Sequence, residues 1–293
     1  MTVSAPYRLL GGFRLLLAAL VLVQHTLVPL APLDFGAALG PLEAGTIAVL
    51  VFFALSGFIV TEAAVRFYDG RPVAFIANRL LRIYPSYLAA LAVTLAAAVW
   101  LASGGHGPTV ALHIGGMPTF TPTEAFVNAF AALPGGRSIL AAADTRPVID
   151  IAWALRVELT FYGVLFACLV AARWSGLTLA FTLLAAGFVA LAAWLATGGW
   201  KGGGGVLAYA PHFVFGGALF FCLEAQTANG RRFAGVVAAS ALVASLTSVV
   251  WRPVTADMPF PRDADAQLGL YLALVVLWLA LLAVRTGHGA SRA

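Results

Sequence analysis

An arginine and a histidine stand eleven residues apart in Arg14-LLLAALVLVQ-His25, a segment otherwise apolar except for Gln24. Imidazole suits proton abstraction near neutral pH, because its ordinary pKa is about 6.5. Guanidinium suits fixed recognition of phosphate or carboxylate through its fork of N–H donors. Along an α-helix, at about 100° per residue, eleven steps return to nearly the same face, about 16 Å further on. Arg14 and His25 are therefore expected to look into one passage, the arginine at its mouth and the histidine inside. A charge held at mid-span costs about 2.5 kcal/mol or more, and such groups persist where they face protein or water and act there. The plainer reading of His25, a ring satisfied by a neighbouring carbonyl or side chain, stays open on this segment alone.

Three further groups carry chemistry of their own. In Asn78-Arg79-Leu80-Leu81-Arg82-Ile83-Tyr84-Pro85 the two arginines are three apart and share a face once a helix has begun. They serve either as a positive-inside anchor or as a clamp for phosphate. Glu158 follows Trp153-Ala154-Leu155-Arg156-Val157 deep in an apolar stretch, with Arg156 on a different face. It is either half of an ion pair with another helix or a carboxylate that orients an imidazole or a substrate hydroxyl. Ser56-Gly57 lets a second backbone approach closely, and its hydroxyl needs a partner in lipid; packing explains it locally. Cys168 and Cys222 sit in apolar segments as packing residues. No metal-ligand spacing or haem motif is present, so no metal is expected.

The elements that must position these residues are membrane helices. Of 293 residues 61% are hydrophobic and only 10% charged, with a mean hydropathy of +0.94, where a soluble domain carries about 25% charged residues. Eight stretches are long enough to span, about 13–33, 43–65, 83–102, 148–172, 177–196, 205–224, 233–250 and 267–284. The fold expected is all-α, a polytopic transmembrane helical bundle of about eight spans, one integral-membrane domain over 1–293. Alternating the loops puts eleven of the seventeen basic residues on the side of both termini and five on the other, with Arg156 inside a span. Both termini are therefore expected in the cytoplasm. That placement also accounts for the net charge of +5, so no nucleic-acid partner is expected. No cleavable signal peptide is read, and the first helix is expected to stay as a signal-anchor. The one long outer loop, 103–147, contains Thr121-Pro122-Thr123-Glu124, a capping box with proline at the first helical position. It predicts a short helix near 122–133, on the outer surface or folded into the bundle mouth. Gly199 and residues 201–205 read as a flexible outer hairpin.

The four blocks together resemble the acyltransferase-3 family of membrane acyltransferases, which O-acetylate bacterial surface polysaccharides. The family's arginine, ten residues, histidine pattern is Arg14 and His25. Its G-x-x-G-V-x-x-F-F-x-x-S-G-F pattern is met by Gly45, Val49, Phe52, Phe53, Ser56, Gly57 and Phe58. R-x-x-R-I-x-P is met by Arg79, Arg82, Ile83 and Pro85, and W-x-L-x-x-E-x-x-F-Y by Trp153, Leu155, Glu158, Phe161 and Tyr162. The resemblance runs from about Tyr7 to about Leu282. It implies an acyl-CoA-dependent acyltransferase, moving groups other than aminoacyl groups, in the bacterial cytoplasmic (inner) membrane. The donor would be cytoplasmic acetyl-CoA or another acyl-CoA, and the acceptor a sugar or polysaccharide hydroxyl at the outer face. It implies His25 as the essential catalytic residue, with Arg14 and the Arg79/Arg82 pair supporting donor binding. Ser56 is counted with the donor-binding candidates, Arg14 with both the donor-binding and the catalytic ones, and Glu158 with the catalytic ones, orienting the imidazole or the acceptor. Departures from the pattern are Ala48 for the second glycine and Leu50 where the family often has a polar residue. The family's S-Y-x-x-Y-L-x-H block is absent before the final Arg285-TGHGASRA, so a C-terminally short member is expected. The alternative of another class is a proton-coupled transporter or exporter with His25 and Glu158 as relay; no internal repeat of the transporter kind is visible. Oligomeric state is not legible.

Overall fold

The computed structural model describes residues 5–30, 40–103, 121–145, 147–149, 151–201, 205–225, 227–251 and 262–290. Among these residues the fold is all-helical. The long helices are α1 (Ala5–Leu30), α2 (Ala44–Phe67) and α3 (Pro72–Ser103), then the short α4 (Pro122–Asn128) and α5 (Gly136–Ala142), followed by α6 (Ala152–Ser175) and α7 (Leu179–Ala196), and finally α8 (Ala210–Glu224), α9 (Ala228–Trp251) and α10 (Ala264–Ala290). Seven helices are long and apolar enough to cross a bilayer, and α1 adds a shorter apolar stretch, Leu10–Thr26. Against the eight spans read from the sequence, the described residues give seven candidates of full length, with the stretch in α1 shorter than a span. The chain is a multi-pass membrane protein.

The span around α2 is 78% buried, whereas that of α7 is only 17% buried. Helix α2 buries Ser56, Thr61 and Glu62, polar groups that lipid cannot satisfy, while the almost wholly apolar α7 can face lipid. The chain divides into two compact units, Met1–Glu62 with Leu183–Ala293, and Ala63–Thr182.

In the first unit α2 and α8 cross with their backbones in contact. A Cβ on Gly57 would lie 2.2 Å from the Phe213 carbonyl oxygen, and one on Gly216 would lie 1.8 Å from that of Ala54. The backbone approach anticipated at Ser56-Gly57 is therefore made by α8. Aromatic rings fill the space beside this crossing. Phe53 stacks on Phe213 at 5.0 Å, and Phe58 and Phe215 meet Trp278 edge-on at 5.9 and 6.0 Å. Near the start of α10, Arg262 donates to Gln267 Oε1 at 2.7 Å, and Gln267 Nε2 donates to the Pro41 carbonyl at 2.8 Å.

In the second unit α3 and α6 run antiparallel. Arg173 at the end of α6 donates to the Gly70 carbonyl at 2.8 Å, and further along Phe75 meets Tyr162 edge-on at 6.4 Å. The expected capping box starts α4: Thr121 Oγ1 accepts from Glu124 N at 3.2 Å while Glu124 Oε2 accepts from Thr121 N at 2.8 Å. These bonds from Thr121, the backbone N–H foremost, hold the Glu124 carboxyl below its usual pKa. The regular helix ends at Asn128 instead of running on to 133, because the backbone tightens into i→i+3 bonds such as Phe130 N to Val127 O at 3.0 Å. A second short helix, α5, follows at once, entered through Gly135 at φ 83°. Tyr87 donates to the Asn128 carbonyl and Tyr84 to that of Ala129, both at 2.6 Å. Arg156 Nε donates to Ala131 O at 3.0 Å. Tyr87 lies about 22 Å along α3 from its start, so this loop segment is folded against the middle of the helix. Where a flexible hairpin was expected, Gly199–Lys201 and Gly205–Tyr209 form 3-10 turns; residues 202–204, like Arg146, Arg252 and Asp257, lie outside the described residues.

Candidate functional site

The first unit carries Arg14, His25 and Ser56. Arg14 is half-buried, with its guanidinium 5.9 Å from the Phe52 ring of α2. An arginine over an aromatic face keeps its charge while part of its hydration shell is replaced by the π-system. Phe52 and Ser56 are four apart on α2, hence on one helix face, and Ser56 is fully buried. His25 differs from the interior position expected of it. Its ring is exposed, and it lies level with the first turn of α2, one residue before the apolar stretch ends at Thr26. The adjacent Gln24 shows why. Gln24 Oε1 accepts from the Gly45 amide at 2.6 Å, satisfying one of the donors that the first helical turn leaves unpaired. A Cβ at Gly45 would come within 2.9 Å of Gln24 Cβ, so glycine there is what brings α1 against the start of α2. Arg14 and His25 do share one helix, with the arginine packed and the histidine open.

The second unit carries Arg79, Arg82 and Glu158, and it joins two of them. Arg79 is 5% exposed, with its guanidinium 5.5 Å from the Phe75 ring and 5.7 Å from the Tyr162 ring. Tyr162 in turn donates its phenolic hydrogen to Glu158 Oε1, one turn earlier on α6. Glu158 itself is buried. A cation, two aromatic faces and a carboxylate thus form one cluster across the α3/α6 interface. Arg79 Nε has no hydrogen-bond partner among the described residues. A buried guanidinium keeps an unused donor at a cost in free energy. Arg82, about 60° further round the helix, is off the interface and exposed. The two arginines therefore differ: one is packed between rings, the other open to solvent.

Sequence reasoning missed His212. It is 1% exposed, with Nδ1 2.9 Å from Tyr271 Oη and Nε2 3.2 Å from Ser248 Oγ. The serine hydroxyl donates to the Ser245 carbonyl at 2.8 Å and has a single hydrogen. Nε2–H must then donate to Ser248, and Nδ1 accepts from Tyr271. Both nitrogens are used, which makes His212 a neutral tie between α8, α9 and α10 and leaves it no free position for a substrate proton. A lone histidine in an apolar segment was the available signal, the same one that singled out His25.

Among the described residues no three His, Cys, Asp or Glu side chains come together as metal ligands. No curated protein and no solved structure matches the chain. The family model described as "Acyltransferase domain" matches residues 9–291, a range that contains Arg14, His25, Ser56, Arg79, Arg82 and Glu158. On that match, the chain belongs to the acyltransferase-3 family.

Proposed function

We propose that the protein is a membrane O-acyltransferase that takes an acyl group, acetyl in the simplest case, from cytoplasmic acyl-CoA. It delivers that group to a hydroxyl of a sugar or polysaccharide at the outer face of the bacterial cytoplasmic (inner) membrane. The observation that supports this reading most is Arg79, buried between Phe75 and Tyr162 with no partner for its Nε among the described residues. A CoA phosphate offers several acceptor oxygens and a compensating charge, which is what a desolvated guanidinium requires. Arg82, exposed three residues on, meets the same phosphates from the solvent side. Arg14 and Ser56 belong to the donor path.

In the reaction His25, as neutral imidazole, takes the proton of the acceptor hydroxyl while its oxygen attacks the thioester carbonyl. The C–S bond breaks, and the CoA thiolate leaves with the proton returned by the imidazolium. The exposed ring of His25 is open to an acceptor. Glu158, whose carboxylate accepts from Tyr162, is the carboxylate assigned to orient the acceptor hydroxyl.

The test uses labelled acetyl-CoA and membranes holding the full chain. Label should pass to surface glycan, and His25→Ala should lower transfer about 100-fold or more while the protein still elutes as a folded species. Transfer at the wild-type level in that variant ends the assignment. Proton-coupled uptake with no transfer of label would favour a transporter.

A further inference from the structure

The first unit holds a cleft of about 820 Å³ whose wall includes Trp194, Trp200, Trp251, Ala239, Val243 and Thr247. That volume lies in the range of ligand sites, about 300–1,000 Å³. It opens where α7 and α9 both end, so it belongs to the rim of the bundle. The acyl-transfer reading uses none of these residues. Trp200 and Trp251 meet edge to face at 5.8 Å, and Lys201 Nζ stands 4.6 Å from the Trp200 ring centre. Trp194 is 5% exposed, and its Nε1–H has no hydrogen-bond partner among the described residues. The indole is held close under the turn that follows α7, since a Cβ on Gly199 would lie 2.2 Å from Trp194 Cδ1. A desolvated N–H fixed in an apolar wall is costly unless an acceptor reaches it.

We propose that this cleft seats an anionic phospholipid of the surrounding bilayer. Its hydrocarbon chain lies along Ala239 and Val243, and its phosphate oxygens accept from Trp194 Nε1–H and pair with the Lys201 ammonium. Each feature asks for a different part of that one molecule. The aliphatic wall calls for a chain, the unused indole donor for an acceptor oxygen, and the cation at the rim for negative charge. Tryptophan and lysine at the ends of apolar helices also lie at headgroup depth. Inorganic phosphate would leave the apolar wall wet, and an uncharged hydrocarbon would leave the indole N–H unsatisfied.

The test is tryptophan quenching in the purified full chain, titrated with phosphatidylglycerol brominated on its acyl chains and, in parallel, with equally brominated phosphatidylcholine. The anionic lipid should reach half-maximal quenching at about a fivefold lower mole fraction, the preference one lysine near a surface provides. Lys201→Gln should remove that preference. Trp194→Phe, which keeps a ring and loses the donor, should weaken binding of both lipids. Ala239→Phe, at an exposed lining position, should fill the cleft and abolish the tight component without disturbing the fold. Equal quenching by the two lipids, or a preference that survives both Lys201→Gln and Ala239→Phe, overturns the proposal. Displacement of the brominated lipid by millimolar inorganic phosphate would mark a simple anion site and overturns it as well.

Discussion

Arg79 and Arg82 look equivalent as letters, yet α3 turns one into the α3/α6 interface and the other into solvent. Arg79→Ala should therefore raise the KM for the acyl donor about 10-fold or more, as expected for loss of a charge-assisted bond. The acceptor KM should stay nearly unchanged in the same steady-state assay. An effect confined to the acceptor would contradict the donor assignment, and Arg79→Lys should recover only part of the loss because lysine lacks the planar fork. His212 makes the opposite kind of prediction. Replacing it with Ala uncouples Tyr271 and Ser248 and should cost about 1–2 kcal/mol of stability, read as a lowered unfolding midpoint in detergent, while the His25-dependent step persists in the folded fraction. Charged residues in apolar segments were legible in the sequence because they are exceptions to their surroundings. The linkage of Arg79 to Glu158 through Tyr162 was not, since it depends on the register of α3 against α6. The partners of His212 lie 36 and 59 residues away, beyond the reach of local pattern.

At the scale of elements, existence was easier to read than termination. The apolar stretches and the Thr121 capping box announce their helices through composition and a four-residue signature. What stops a helix is tertiary: α4 ends at Asn128, whose carbonyl takes a hydrogen bond from Tyr87 and whose Oδ1 accepts from Val148 N at 2.7 Å. The glycine of Ser56-Gly57 could be read as a contact point, but its counterpart Gly216 could not be told from other glycines in an apolar run. Their joint role makes a sharp prediction. Gly216→Ala adds one methyl group where the Ala54 carbonyl would stand at 1.8 Å, so α2 and α8 must separate. The cost should be about 1–3 kcal/mol, checked by thermal unfolding in detergent. Gly235→Ala, in α9 with nothing within 4 Å of the added Cβ, is the control and should be near neutral or slightly stabilising.

Across the whole molecule, composition alone identifies a membrane protein, and the distribution of arginines sets its expected orientation. Single cysteines at Gly70 and Lys201, in a background lacking Cys168 and Cys222, test that orientation. Lys201→Cys should react with a membrane-impermeant maleimide on intact cells, and Gly70→Cys only after the membrane is opened. The reverse pattern would invert the chain and move Arg79 away from cytosolic CoA. The bond from the Gly45 amide to Gln24 bears on how the protein works as a machine. A piston-like slide or a spin of α1 about its axis would uncap α2 and drive Gln24 into the Gly45 backbone, so this first helix is clamped lengthwise. Arg14 and His25, eleven residues apart on that helix, then keep a fixed separation along its axis, and any adjustment at Arg14 falls to its own side chain beside Phe52.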